Sequence, residues 1–282
     1  MSSMKSILAA TDLSAPSRHA ADRAALLARA NGGKLTLAHA LGDTALDDLR
    51  RFVGDGEPTK AVVKGDARDR LHAIAVRLGQ RHEMTVAEQI DADLLVTGTR
   101  GAGFFRGVVT GSTAERVARR SARPVLMVRQ VAHEAYQRVL IPVDFSAWTA
   151  PSIELAQRVA PGADLVLLHA VQIPFESRLR LVGVTESQLA AFRGTAINEA
   201  QQRLDEVAAA AGLSERWVGL VSSDGADPWM QIVRQELEQD CDLIVIGKHG
   251  RNVLEELLLG STTRIVIAEG SADVLVSTHS AT

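Results

Sequence analysis

Two stretches of this chain carry residue types suited to holding a phosphate. One reads Gly98-Thr99-Arg100-Gly101, then nine residues, then Gly111-Ser112. The other reads Gly247-Lys248-His249-Gly250, then nine residues, then Gly260-Ser261. Each follows a short apolar run and precedes a helical pattern. A glycine at the end of a strand lets a ligand approach the backbone closely. A Gly-Ser pair opening a helix offers free N–H groups and the positive end of the helix dipole to an anion. Lys248 and Arg251 lie in the second loop, and Arg100 and Arg106 in the first, where their charge favours phosphate. A Walker A motif is absent. Ser14 and Ser146 lack a recognisable His and Asp relay, so a hydrolase triad is excluded. The eight histidines are scattered and there is one cysteine, Cys241, so neither a disulfide within the chain nor a Cys-based zinc site is expected. Cys241 reads as an inert packing residue. The arginines at 116, 119, 120 and 123 read as a solvated face.

The elements that position these loops repeat. Ile7-Leu8-Ala9-Ala10-Thr11-Asp12-Leu13-Ser14 returns as Val139-Leu140-Ile141-Pro142-Val143-Asp144-Phe145-Ser146. Leu35 to Ala40 returns as Leu165 to Ala170, Asp93 to Gly98 as Asp242 to Gly247, and Arg123 to Val128 as Ala272 to Ser277. Four matched segments in one order mark a tandem duplication. Each is a short apolar run, the pattern of a strand buried on both faces. Helical patterns alternate with them: Ser14 to Ala30, Ser146 to Val159, a longer one from Thr185 to Ala211 broken near Gly194, Asp227 to Gln239, Gly111 to Arg120 and Gly260 to Glu269. Alternation of this kind gives parallel sheets with right-handed crossovers, an α/β fold.

Asp12 and Asp144 lie 132 positions apart, whereas Gly98 and Gly247 lie 149 apart, so the first half is about 17 residues shorter between His39 and Asp93. Two readings compete. In one, Arg70-Leu71 to Gly79 matches Arg203-Leu204 to Gly212, the third strand and most of the next helix are missing, and the first sheet has four strands. In the other, Ala61-Val62-Val63-Lys64 is a third strand followed by a shortened helix. The repeat alignment favours the first slightly.

Composition bounds the rest. The 282 residues suit two domains, expected at 1–130 and 137–282. Apolar residues are 46%, enough for a core, and aromatics 4%, so Ala, Val and Leu do the packing. A net charge of −3 leaves no global basic footprint for nucleic acid. No stretch approaches 18 apolar residues, so no membrane span is expected. The N-terminus has no signal or transit pattern, and the expected compartment is the cytoplasm.

On these residues the chain resembles the universal stress protein family in its tandem two-domain form. The carriers are Asp12 and Ser14, Asp144 and Ser146, the His39 and His169 strand ends, and both glycine motifs. The resemblance implies two doubly wound, Rossmann-like parallel sheets in order 3-2-1-4-5 where complete. It implies ATP or ADP as ligand, with Mg2+, because this glycine spacing marks the family's ATP-binding members. Carried over position by position, Asp12 and Asp144 become the nucleotide-contacting acids, and Ala40 and Ala170 line the adenine pocket. Gly98, Gly101, Gly111, Ser112 and Thr113 form one ribose and phosphate loop; Gly247, Lys248, Gly250, Gly260, Ser261 and Thr262 form the other. His39 and His169 are expected to be structural. One pocket wall, Val221-Ser222-Ser223-Asp224-Gly225, is present only in the second half, which makes the second site the stronger one. The resemblance also implies pairing of the domains within one chain through their last strands, and a chain open to homodimerisation. The expected function is stress response or signalling through nucleotide-dependent switching of an unnamed protein partner. The alternatives are a slow ATPase or phosphoryl- or adenylyl-transfer enzyme, and a structural pairing module with empty sites.

Overall fold

The structure, a computed structural model, describes residues 4–39, 57–82, 92–99, 112–172, 182–213, 215–223, 225–248 and 259–278. Its contacts divide the chain into two compact units: Met1–Ala114 with Arg123–Ala135, and Glu115–Ala122 with Tyr136–Thr282.

The first unit carries β1 (Ser6–Ala10), α1 (Ala15–Ala30), β2 (Lys34–Ala38), α2 (Glu57–His82), β3 (Leu94–Gly98), the start of α3 (Ser112–Arg120) and β4 (Val125–Val128). The strands run parallel in the order β2-β1-β3-β4. Ala61 to Lys64 lie inside α2, so they form no strand. Among the described residues this sheet has four strands, as the repeat alignment favours. The apolar residues of α1 recur at helical spacing, and Ala20, Ala21, Ala24, Ala25 and Ala28 are all buried. Small side chains let that helix lie close to the sheet. Its start is fixed by Ser14, whose hydroxyl accepts from the Ser17 N–H. Gly33 follows the helix and presses against β1. A Cβ there would stand 2.6 Å from the Met4 carbonyl oxygen, a backbone atom with no room to move.

The second unit carries β5 (Arg138–Pro142), α4 (Thr149–Val159), β6 (Asp164–Ala170), α5 (Glu186–Ala210), β7 (Trp217–Ser222), α6 (Pro228–Glu238), β8 (Leu243–Gly247), α7 (Ser261–Glu269) and β9 (Asp273–Ser277). Its strands run parallel as β7-β6-β5-β8-β9, which is the order 3-2-1-4-5. Leu140, Ile141, Leu167, Leu168, Ile244 and Val274 are buried in the strands. Two expected helices differ. The α5 helix runs through Gly194 unbroken. An isolated glycine costs only about 1 kcal/mol against Ala in a helix, and the Thr185–Gln188 capping box secures this helix's start. The α4 helix starts at Thr149, not Ser146. Its first-turn proline, Pro151, stands three residues farther from Asp144 than Pro16 stands from Asp12. Ser146 instead caps a turn, its hydroxyl accepting from the Trp148 N–H.

The duplication extends to hydrogen bonds outside the ladders. Asp93 accepts from the Lys5 and Ser6 N–H groups at the start of β1. Asp242 accepts from the Gln137 and Arg138 N–H groups at the start of β5. The stretch between the halves contains the buried Tyr136, whose hydroxyl donates to the Asp273 carboxylate at 2.7 Å. Near it, Cys241 is a buried free thiol. Loss of water on burial pushes that thiol up to about 12, against the pull of the Arg138 charge. The thiolate is the reactive form. We expect a thiol reagent at about pH 8 to leave the folded protein unmodified and to label one site per chain after denaturation, as read by intact mass. Prompt labelling of the native chain would contradict this placement.

Candidate functional site

At the carboxyl ends of β5, β6 and β8 the second unit opens a cavity of about 460 Å³. Open parallel sheets bind ligands at this edge. Asp144, Ala170, Gly247, Gly260, Ser261 and Thr262 all line it. Six of the expected residues, drawn from four separate segments, thus meet around one space.

The amino termini of three helices reach the same space. Trp148 and Thr149 open α4, Pro228 opens α6, and Ser261 opens α7. Each terminus carries a partial positive charge, and α7 also offers N–H groups without helical partners; at α6 Pro228 has no N–H, and at α4 the Thr149 N–H already donates to the Ser146 carbonyl. The α7 end is anchored twice. The Gly260 N–H donates to the Lys248 carbonyl, and the Thr263 hydroxyl donates to the Gly247 carbonyl, both at 2.9 Å. The end of β8 and the first turn of α7 are held together as a cradle. No lysine or arginine is among the described residues lining the cavity. Attraction for an anion here comes from backbone N–H groups and helix ends.

The loop after β5 has a matching loop after β1. The Asp144 carboxylate accepts from the Ser146 N–H, and Asp12 accepts from the Ser14 N–H, each at 3.0 Å. The residue after each aspartate is left-handed, with φ 57° at Phe145 and 64° at Leu13. For a bulky residue that conformation costs about 1–2 kcal/mol, yet both halves keep it. Beside it Asp144 lines the cavity, and the Phe145 ring packs against His169, with centroids 4.5 Å apart. The Arg203 guanidinium of α5 stands 3.9 Å over the same ring, a cation–π contact. The His169 Nδ1 faces the Val143 carbonyl at 2.7 Å, and the His39 Nδ1 faces the Thr11 carbonyl at 2.8 Å. A carbonyl only accepts, so Nδ1 carries the proton in both rings. Each histidine holds the loop after the first strand to the end of the second.

Several expected residues stand elsewhere. Lys248 is buried, does not line the cavity, and points its Nζ at the Ser121 carbonyl, 3.3 Å away. Among its described residues the expected wall from Val221 to Gly225 contributes no lining residue; Pro228 and Ile232 of α6 line the cavity. Asp224, Gly250 and Arg251 lie outside the described residues, as do Ala40, Arg100, Gly101, Arg106 and Gly111. Ser112 and Thr113 begin α3, and Gly98 ends β3 beside Val128.

Sequence reasoning missed Trp148, Thr149, Ser152, Gln172 and Thr263, all of which line the cavity. The position of Pro151 was the available signal for the first three, because it sets where α4 begins. The Thr149 hydroxyl is notable: it is buried in the cavity wall and has no hydrogen-bond partner among the described residues. A buried hydroxyl without a partner carries a desolvation cost of about 1–3 kcal/mol, which a ligand polar group relieves. Among the described residues no cluster of His, Cys, Asp and Glu is arranged to hold a metal ion, and no helix is long and apolar enough to cross a membrane.

Comparison with known proteins accords with this fold. A universal stress protein from Mycolicibacterium smegmatis is 27% identical over 226 residues, covering 76% of this chain and 72% of that one. One from Mycobacterium tuberculosis is 26% identical over 194 residues, covering 65% of this chain and 58% of that one. Among solved structures, a universal stress protein from Archaeoglobus fulgidus superposes with a TM-score of 0.68 at 19% identity, over 97% of this chain and 98% of that one, which speaks for the fold. The family model described as the universal stress protein family matches residues 4–129 and again residues 135–278. With the same fold written twice and the family pattern matched in each copy, this chain belongs to the universal stress protein family in its tandem form.

Proposed function

We propose that the chain is a nucleotide-binding protein of stress signalling, holding ATP or ADP in the cavity of the second unit and changing its partner affinity with the bound nucleotide. The observation that carries this reading is the convergence of Asp144, Ala170 and the Gly247–Gly260–Ser261 cradle on one cavity. Three helix ends favour a polyphosphate, and the unpartnered Thr149 hydroxyl fits a polar ligand. Mg2+ would arrive on the phosphates, where the described residues offer it no cluster of their own. Nucleotide then shifts a population between surface states, by as much as its affinities for those states differ.

The test is a count. The chain is purified without added nucleotide and denatured, and released adenine nucleotide is quantified per chain. Calorimetry with ATP and Mg2+ follows. We expect about one nucleotide per chain. At a hundred times its dissociation constant, ATP should stabilise the fold by about 2.7 kcal/mol. No released nucleotide, no heat and no thermal shift would remove the reading.

A further inference from the structure

The two halves of the chain place a hydroxyl at the same point and treat it differently. By the offset of 132 that relates Asp12 to Asp144, Ser17 corresponds to Thr149, Thr11 to Val143 and Pro16 to Trp148. Both hydroxyls are buried, with Ser17 4% and Thr149 6% exposed. In the first unit the Ser17 hydroxyl is served twice. It donates to the Ser14 carbonyl at 2.9 Å, and it lies 2.7 Å from the Thr11 hydroxyl. Its one proton is engaged by the carbonyl, so it accepts from Thr11. The second unit provides neither bond. Val143 stands at the position of Thr11, and its side chain has nothing to donate. The turn is also bonded differently. Pro16 has no N–H, and the Ser14 hydroxyl accepts from the Ser17 N–H. Trp148 has an N–H and gives it to the Ser146 hydroxyl at 3.3 Å. The Thr149 N–H turns instead to the Ser146 carbonyl at 3.1 Å, the counterpart of the atom that receives the Ser17 hydroxyl. The Thr149 hydroxyl is left in the cavity wall without a partner among the described residues.

We propose that Thr149 is a ligand-contacting residue, its hydroxyl donating to a phosphate oxygen of the nucleotide held in the second unit. The inference rests on the nucleotide reading and adds to it a named contact outside the glycine cradle. The hydroxyl does no other work: the cap position of α4 is Trp148, and no side chain caps that helix. Valine has nearly the same shape and would avoid the cost of a buried, unserved hydroxyl, so the folded chain gains nothing from the oxygen unless a ligand meets it. Phosphate is the group that suits it. Thr149 stands in the first turn of α4, where the positive end of the helix favours negative charge. No described lysine or arginine lines the cavity, so neutral donors must serve the anion. The Thr263 hydroxyl is already committed to the Gly247 carbonyl, whereas the proton of Thr149 is free to be given. One duplicated position has thus parted into a hydroxyl that holds its own loop, at Ser17, and a hydroxyl that faces a ligand, at Thr149.

The test uses the full chain and reads binding and stability together. Thr149→Val removes the hydroxyl and keeps the shape. Its ATP affinity by calorimetry should fall about 10- to 100-fold, the loss expected for a hydrogen bond to a charged group. Its melting temperature without ligand should stay level or rise, because valine leaves no buried polar group unserved. Thr149→Ser keeps the hydroxyl and should restore most of the affinity. Adenosine has no phosphate and should bind wild type and Thr149→Val alike. Ser17→Ala should give the mirror image, a lower melting temperature with unchanged ATP affinity, since it breaks the bonds to Thr11 and Ser14. A Thr149→Val variant that binds ATP as wild type does overturns the proposal. So does one whose melting temperature falls as that of Ser17→Ala does, or one that loses adenosine and ATP affinity equally. A wild-type chain that binds no ATP removes the nucleotide reading and this contact with it; wild-type binding with Thr149→Val unaltered removes the contact alone. If Thr149→Val does not fold, Thr149→Ala decides by the same calorimetry.

Discussion

Gly260→Val should lower nucleotide affinity in the second unit at least about 100-fold, a loss of about 2.7 kcal/mol. The argument starts from the first turn of α7. Its helical bonding begins with the Arg264 N–H donating to the Gly260 carbonyl at 2.9 Å, so the N–H groups of Ser261, Thr262 and Thr263 have no partner within the helix. They can serve an anion only if its oxygens come within about 3 Å. Gly260 lines the cavity directly in front of them, and two methyl groups there hold the ligand off. The backbone itself tolerates the change. Its φ of −56° and ψ of 147° are open to any residue. The remaining penalty is the weaker cap, about 1 kcal/mol. The variant should therefore fold, and calorimetry should show lost binding with a nearly unchanged melting temperature without ligand. Gly162→Val is the matched control, since a Cβ there meets no atom within 4 Å and the residue precedes β6 at the opposite end of the sheet. Equal affinity in the Gly260 and Gly162 variants would remove the cradle from the site.

Glu236→Ala should cost about 1–2 kcal/mol of unfolding free energy, because it strips the acceptor from the buried Ala272 N–H. Glu236 is 1% exposed near the end of α6. One of its carboxylate oxygens accepts from the Ser271 N–H at 2.8 Å, the Ser271 hydroxyl at 2.6 Å, and the Ala272 N–H. This side chain ties the end of α6 to the turn between α7 and β9. Alanine would leave the buried Ala272 N–H without its acceptor, while the groups of the exposed Ser271 can turn to water. Glu236→Gln keeps an acceptor oxygen in the same place, so it should recover most of the loss. Urea unfolding of the three proteins settles the matter. An alanine variant within about 0.5 kcal/mol of wild type would match an ordinary surface change and contradict the role assigned to Glu236.

Most of the architecture was legible because strands buried on both faces write themselves as apolar runs, and a duplicated chain writes them twice. The offset between repeats located the shortened segment, although Ala61-Val62-Val63 is β-branched enough to imitate a strand; 26 residues of continuous helix settled its state. Gly194 misled because glycine propensity is weak beside tertiary packing and a good cap. The cavity lining was legible where residue type and spacing mark it, at Asp144, Gly247, Gly260 and Ser261. It was not legible where the contribution comes from direction. Lys248 carries the right charge beside the right glycine, yet it is buried with its Nζ turned to Ser121. Thr149 and Trp148 have no motif; a three-residue shift in the start of a helix brings them to the cavity. The left-handed Phe145 gives no sign either, since neither it nor its counterpart Leu13 is a glycine.

The shortened first unit has a consequence for dose response. Pro228 and Ile232, which close one side of the cavity, belong to a strand-and-helix pair, β7 and α6, with no counterpart among the described residues of the first unit. If one unit alone holds ligand, a single chain has no second equivalent site to cooperate with. Its titration is then hyperbolic, with a Hill coefficient of one, and occupancy climbs gradually with nucleotide concentration instead of switching at a threshold. Any steepness in the response would have to arise between chains, and it would fade on dilution.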